Sequence, residues 1–355
     1  MLNFYPGPSK VYPEVRQYLT DAYDEGFLGT PHRGDQFVQL SRTVVSLLRQ
    51  KVNIPQDYHI YFASSATECW EILVQSLTTS KSSHIFNGSF GENWFNYAKK
   101  LRPKAESFRF DLNEQMPVED LAISPDTELI CFTQSETSNG THVSATPILN
   151  LQNRFRDKLI AVDATSSMAG LNLKLIKADI WFASVQKCFG LPSGLAVMAC
   201  SPRVIFRAKQ KNERGHYNSL LAMYEKMLNY QTTHTPNVLN IYLLKRLLEE
   251  RPLVKQLDEH LTARAQDLYA FFSQFTEIAP LVENEEVRSK TVIALQANER
   301  LVDEIKKRAL QLDIRLGNGY GPWQRNTFRI ANFPAIQDEE YEELKRFFLQ
   351  NYSWI

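Results

Sequence analysis

Between residues 58 and 200, short apolar runs recur along the chain, each followed by a polar turn and a helical stretch. The runs are YHIYFA (58–63), HIFN (84–87), ELICFT (128–133), KLIAVD (158–163), DIWFASV (179–185) and GLAVMAC (194–200). A strand with one wet face alternates apolar and polar positions, whereas several of these are apolar almost throughout, as strands covered on both faces are. They predict an α/β fold, a mostly parallel sheet flanked by helices. Helical spacing in TECWEILVQSL (67–77), where Ile72, Leu73 and Leu77 share a face, and in NWFNYAKKL (93–101) supplies crossover helices.

The rhythm changes after residue 236. Two helical runs, 237–250 and 252–274, follow each other, with Pro252 suited to the first turn of the second. TVIALQ, the helix ERLVDEIKKRALQL, a Gly-rich loop, NTFRIANF and a last helix DEEYEELKRFFLQNY complete the chain. This predicts a large α/β domain over 16–250 and a smaller α+β domain over 251–355, and 355 residues exceed what one core usually serves.

Composition narrows the function classes. Forty basic residues balance 40 acidic ones, so no net field draws the protein to nucleic acid or an anionic membrane. The 4 cysteines have no C-x-x-C spacing, which fits free thiols in a reducing compartment. The N-terminal MLNFYPGPSKVYPEV lacks the basic start and apolar run of a signal peptide, and no stretch reaches about 18 apolar residues. A cytoplasmic protein without a membrane segment is expected. The histidines include no metal-spaced pair, so no metal site is expected.

Ligands of open α/β sheets bind beyond the carboxyl ends of the strands. Those positions hold Ser64, Ser65, Ala66 and Thr67; Gly88, Ser89 and Phe90; Ser135, Glu136 and Thr137; Asp163, Ala164 and Thr165; then Gln186 and Lys187. Each has a plainer reading alone, since serines cap helices, aromatics fill cores and strand-end aspartates cap turns. Together they form the inventory that pyridoxal phosphate requires. Lys187 would be its amine, Asp163 the acid against its ring nitrogen, SSAT at a helix mouth its anion site and Phe90 a ring to stack on it.

Across these motifs the chain resembles the class V aminotransferases of the fold-type I pyridoxal-phosphate enzymes, and within them the phosphoserine aminotransferase branch. HRGDQF (32–37), SETSNG (135–140), VDATSS (162–167), QKCFGLPSG (186–194), HTPN (234–237) and FRIANFP (328–334) carry the likeness over nearly the whole chain. The resemblance implies Lys187 as the cofactor lysine, Asp163 as the ring-nitrogen partner, Thr137 beside the ring hydroxyl and Phe90 stacked on the ring. It also implies Ser65, Ala66, Thr67 and Gln186 around the phosphate, with His234 and Thr235 reaching there from the second subunit of a homodimer with shared active sites. Arg329 would fork onto the substrate carboxylate, His32 and Arg33 would bind its distal anion, and residues 1–15 would run past the substrate mouth. The implied partners are a small amino acid and a 2-oxo acid, and the implied reaction is transamination of phosphoserine with 2-oxoglutarate.

The chain also departs from that branch. Phosphoserine enzymes carry an arginine in the phosphate loop, where this chain reads SSATEC, and a His-Arg pair where it has Pro322 and Trp323. Arg325 is a candidate substitute. An alanine- or serine-glyoxylate type aminotransferase is the alternative that these absences favour. A cysteine desulfurase needs a loop nucleophile, which neither Cys188 beside the lysine nor Cys200 at a strand end resembles. A non-catalytic binding module conflicts with an intact Lys187 and Asp163. A nicotinamide dehydrogenase lacks its G-x-G-x-x-G after a strand.

Overall fold

The computed structural model describes residues 1–352. In chain order the strands are Leu2–Phe4 (β1), His59–Ala63 (β2), Ser82–Phe86 (β3), Glu106–Arg109 (β4), Leu129–Thr133 (β5), Ser135–Glu136 (β6), Thr141–His142 (β7), Leu159–Asp163 (β8), Ile180–Ser184 (β9), Ala196–Cys200 (β10), Ala279–Pro280 (β11), Val292–Gln296 (β12), Ile314–Asn318 (β13) and Thr327–Ala331 (β14).

Seven strands form the large sheet in the order β2-β10-β9-β8-β5-β3-β4. Every pairing from β9 to β4 is parallel. β10 alone runs against its neighbours β2 and β9. The carboxyl ends of β2, β3, β5, β8 and β9 therefore meet at one edge. Alternate residues of each strand pack into different cores, Ile160 and Val162 into one, Leu159 and Ala161 into the other. With both faces dry, the strand sequence has no reason to alternate.

Two features depart from the apolar pattern. β3 begins at Ser82 rather than near His84, because its buried polar groups are paired: Ser82 with His84 at 2.9 Å and Ser83 with Thr127 at 2.8 Å. β4, reading ESFR, is an edge strand whose alternate positions are exposed, so no apolar run announces it.

The second sheet has 5 strands in the order β1-β13-β14-β12-β11. The N-terminal strand thus pairs with a strand from the far end of the chain. Its core gathers Phe4, Leu268, Phe272, Ile293, Phe328 and Phe348. The helices Val238–Glu250 and Val254–Phe272 are separated by a short turn, and the second starts beyond Pro252 because the Gln256 side chain caps the Leu253 N–H at 3.2 Å. We propose this turn as the divide between a large domain, 16–250, and a small one, 251–355. Among the described residues, no helix is long and apolar enough to cross a membrane.

Candidate active site

At the shared carboxyl edge lies a cavity with about 790 Å³ of empty space, part of it open to solvent. Lys187, Asp163, Thr137, Phe90, Ala66, Thr67, Gln186 and Arg329 all line it. Lys187 follows β9 in a loop whose turn needs Gly190 at φ 65°; a side chain there would lie 2.5 Å from the Tyr12 ring. The Lys187 amine is buried, donating to Thr137 Oγ1 at 2.7 Å and Ser166 Oγ at 3.1 Å, and lies 5.2 Å from the Phe90 ring centre. Burial lowers its pKa to about 8, against the upward pull of the Asp163 and Glu136 charges. Near neutral pH it therefore holds a far larger neutral fraction than a solvated lysine.

Asp163 ends β8 and is buried. The Trp70 indole N–H donates to its Oδ2 at 3.0 Å and the Thr165 backbone N–H to its Oδ1 at 2.9 Å. Burial raises its pKa, while these donors and the nearby Lys187 charge favour the carboxylate.

The helix Ala66–Leu77 opens at the cavity. Ser65 caps it, accepting from the Glu68 N–H at 3.0 Å, and does not line the cavity; that hydroxyl is committed to the helix. The Ala66 N–H donates to Ser184 Oγ at 2.8 Å, which leaves the Ser184 hydroxyl proton to point elsewhere. Gln186 Oε1 is buried without a hydrogen-bond partner among the described residues. An orphaned polar atom beside a helix N-terminus marks a place built for a polar guest.

Arg329 enters from β14 of the second sheet. Its Nε donates to Asn318 O and its Nη1 to Thr137 O, each at 2.6 Å, while its Nη2 makes no hydrogen bond among the described residues. Thr137 thus links two cations, through its hydroxyl to Lys187 and through its carbonyl to Arg329. Burial lowers the Arg329 pKa, but a guanidinium stays charged at any physiological pH. Tyr320 stacks on Phe90, centroids 5.1 Å apart, and with Tyr5, Pro6, Gly7 and Pro8 lines the cavity. The N-terminal segment is held across it by Ser9 N–H to Gln186 O and Tyr12 N–H to Gly190 O, both at 3.0 Å.

His32, Arg33, His234 and Thr235 lie elsewhere, with none lining this cavity. They form an outer cluster in which His32 Nδ1 and Thr235 Oγ1 are 3.2 Å apart. Partial burial and the Arg33 and His234 charges hold the His32 imidazole below its ordinary pKa. The cluster leans on the cavity helix from outside: His234 packs edge-on against Tyr217, whose hydroxyl donates to Glu68 at 3.0 Å. Arg325 is exposed, faces Glu299 at 3.6 Å and does not line the cavity.

Sequence reasoning missed Trp70, Ser166 and Ser184. Trp70 stands one turn inside the helix that opens at Ala66, and Ser184 stands at the last position of β9. Only positions past the predicted strands drew attention: Ser184 was counted inside the run ending at Val185, and the second turn of a helix opening on the site was not considered.

The profile of the aminotransferase class-V family matches residues 3–313. The phosphoserine aminotransferase of Rhodococcus opacus is 26% identical over 350 residues, spanning 96% of this chain and 92% of that one. That of Corynebacterium glutamicum is 27% identical over 347 residues, spanning 95% and 91%. A phosphoserine aminotransferase structure from Cytophaga hutchinsonii superposes with a TM-score of 0.93 at 32% identity, covering 98% of each chain. An alanine–glyoxylate aminotransferase from Nostoc shares the fold with a TM-score of 0.83 at 18% identity, covering 98% of this chain and 94% of that one. With a buried lysine and acid on one cavity and a family match across most of its length, the chain belongs to the class V aminotransferases and has the fold-type I architecture.

Proposed function

We propose that the chain transfers the amino group of 3-phosphoserine to 2-oxoglutarate with pyridoxal phosphate, as a homodimer whose subunits complete each other's sites. The observation that carries the transaminase chemistry is the convergence of the Lys187 amine, the Asp163 carboxylate and the Arg329 fork on one cavity. The residues fit the cofactor. The unpartnered Gln186 Oε1 is a polar atom awaiting a guest, and the first-turn N–H groups with the Ser184 and Thr67 hydroxyls suit a phosphate. Asp163 suits a protonated ring nitrogen, and Phe90 a ring face.

Pyridoxal phosphate, when bound, supplies an electron sink for the pair left on the substrate α-carbon once its proton is removed. Arg329 would hold the substrate α-carboxylate through its free Nη2 edge, which fixes the α-carbon opposite Lys187. Lys187 Nζ would tether the cofactor, then, once displaced by the incoming amine, take the α-carbon proton and return it one position away. Thr137 and Ser166 keep that amine aimed between uses. The ring of Tyr320 and the 5–8 segment would exclude water from the exchange.

The phosphoserine assignment is supported by the relatives and by His32 and Arg33. In a second copy brought against this face, that pair would supply an anion site that the cavity of one chain lacks. A second reading, an alanine- or serine-glyoxylate enzyme, is favoured by a specific observation. Among the described lining residues the only cations are Lys187 and Arg329, and Arg325 points away. The desulfurase reading finds no support, because all four cysteines are buried and burial pushes the Cys188 thiol up to about 12.

A half-reaction separates the two. Single amino acids are added to the purified holoprotein and the visible absorbance of the cofactor is followed. Phosphoserine should bleach it at low concentration; a response to alanine or serine with none to phosphoserine would transfer the assignment to the second reading.

A further inference from the structure

Beneath Asp163 lie two indoles that the reaction does not obviously use. Trp70 and Trp94 stack with an interplanar angle of 13° and centroids 6.2 Å apart, both buried. They are chemically unequal. Among the described residues the Trp94 N–H has no hydrogen-bond partner, and its ring packs edge-on to Phe182 and His84. The Trp70 N–H is spent on Asp163 Oδ2 at 3.0 Å, and Trp70 lines the cavity while Trp94 does not.

We propose that Trp70 is a positioning residue for the ring-nitrogen acid: its N–H clamps one oxygen of Asp163 and keeps that carboxylate ionised and turned toward the cofactor ring. An indole N–H donates and cannot accept. It therefore bonds a bare carboxylate oxygen more strongly than a protonated one, and so opposes protonation of Oδ2. Such opposition is needed here, because a buried acid is otherwise driven toward its neutral form, which could no longer hold a protonated ring nitrogen. The Thr165 N–H does the same for Oδ1, so the two donors fix the carboxylate plane from opposite sides. Trp70 also belongs to the helix whose first turn carries Ala66 and Thr67. One rigid element thereby sets the distance between the phosphate site and the acid, the two ends of the cofactor.

The inference rests on the pyridoxal-phosphate reading but not on the choice of amino donor, so its test uses no donor. Apoprotein is titrated with pyridoxal phosphate and binding is followed by visible absorbance between about pH 6 and 9. Trp70→Phe keeps the stacked ring and removes the donor. Hydrogen bonds to charged groups are strong, so affinity should fall about tenfold, with binding lost at a higher pH than in the parent as pH is lowered. Trp94→Phe should leave affinity and pH dependence unchanged. In an Asp163→Asn background, Trp70→Phe should add little. If Trp70→Phe folds poorly, 3-benzothienylalanine at position 70, with sulfur in place of the N–H, removes the donor at constant shape and should reproduce the loss. Equal affinity with and without the N–H, equal losses from both tryptophan variants, or full additivity with Asp163→Asn would overturn the proposal. Absence of uptake by the parent apoprotein would overturn it together with the cofactor reading.

Discussion

Two sets of polar side chains serve the same proposed reaction, and the fold holds them in opposite ways. The inner set, Lys187, Asp163, Thr137 and Arg329, is buried, and each member is bonded to another part of the same chain. The outer set, His32, Arg33, His234 and Thr235, is half-buried or exposed, and its internal bonds are few and long. A charge removed from water must find partners or neutralise, so a buried constellation is over-determined by its own chain. An exposed one is not. Its geometry would acquire a purpose against a second body, such as the partner in the proposed dimer, whereas the inner set needs only the proposed cofactor.

The largest test of that contrast is Lys187→Ala. The variant should lose about 10⁴-fold or more of the half-reaction rate, since it removes both the tether and the proton carrier. It should keep its fold, because the lysine is held by two hydroxyls that can bond to each other: Thr137 Oγ1 and Ser166 Oγ are already 2.5 Å apart. Single-turnover absorbance and a thermal melt measure the two quantities. A parent-like rate would leave the inner set without a catalytic role.

A smaller effect probes the outer set. Arg33→Ala should lower kcat/KM for phosphoserine by about ten- to a hundredfold, the value of a charge-assisted contact to an anion, with cofactor binding intact. The sharper experiment co-expresses Arg33→Ala chains with Lys187→Ala chains. If Arg33 acts on the neighbour's substrate, the mixed dimer contains one cavity with Lys187 and a donated Arg33, and activity returns. If it acts within its own chain, every cavity lacks one or the other and nothing is recovered.

The same contrast explains what could be read in the sequence. The inner strands were legible because two-sided burial writes continuous apolar runs, and Lys187 and Asp163 because they stand directly past such runs. β4 was not legible, since an edge strand with wet alternate positions looks like a turn. Trp70 looked like one more aromatic on a helix whose apolar positions are spent on the core. Its N–H acquires meaning only when β8, nearly a hundred residues on, delivers Asp163 to it. The outer residues were found through motif resemblance alone, since no local pattern distinguishes an exposed His-Arg pair from an ordinary solvated one. Ser65 shows the reverse case, in which the bland N-cap role is the one its hydroxyl performs.

The mildest test uses pH alone. Cofactor uptake requires the Lys187 amine in its neutral form. With its pKa lowered by burial to about 8, that fraction falls roughly tenfold per unit of pH below 8 and levels off above it. A solvated lysine, starting from 10.5, would leave the rate climbing through 8 and 9. The outer set adds no bend near 8, since partial burial and the Arg33 and His234 charges favour the neutral form of His32. Stopped-flow absorbance of apoprotein mixed with pyridoxal phosphate, from about pH 6 to 10, should therefore bend once, near 8. A rate still rising past pH 9 would mean that the amine is more open to water than its two hydroxyl partners and the Phe90 ring allow. A bend well below 8 would mean that a group other than the Lys187 amine governs entry, and the inner set would lose its claim to the cofactor.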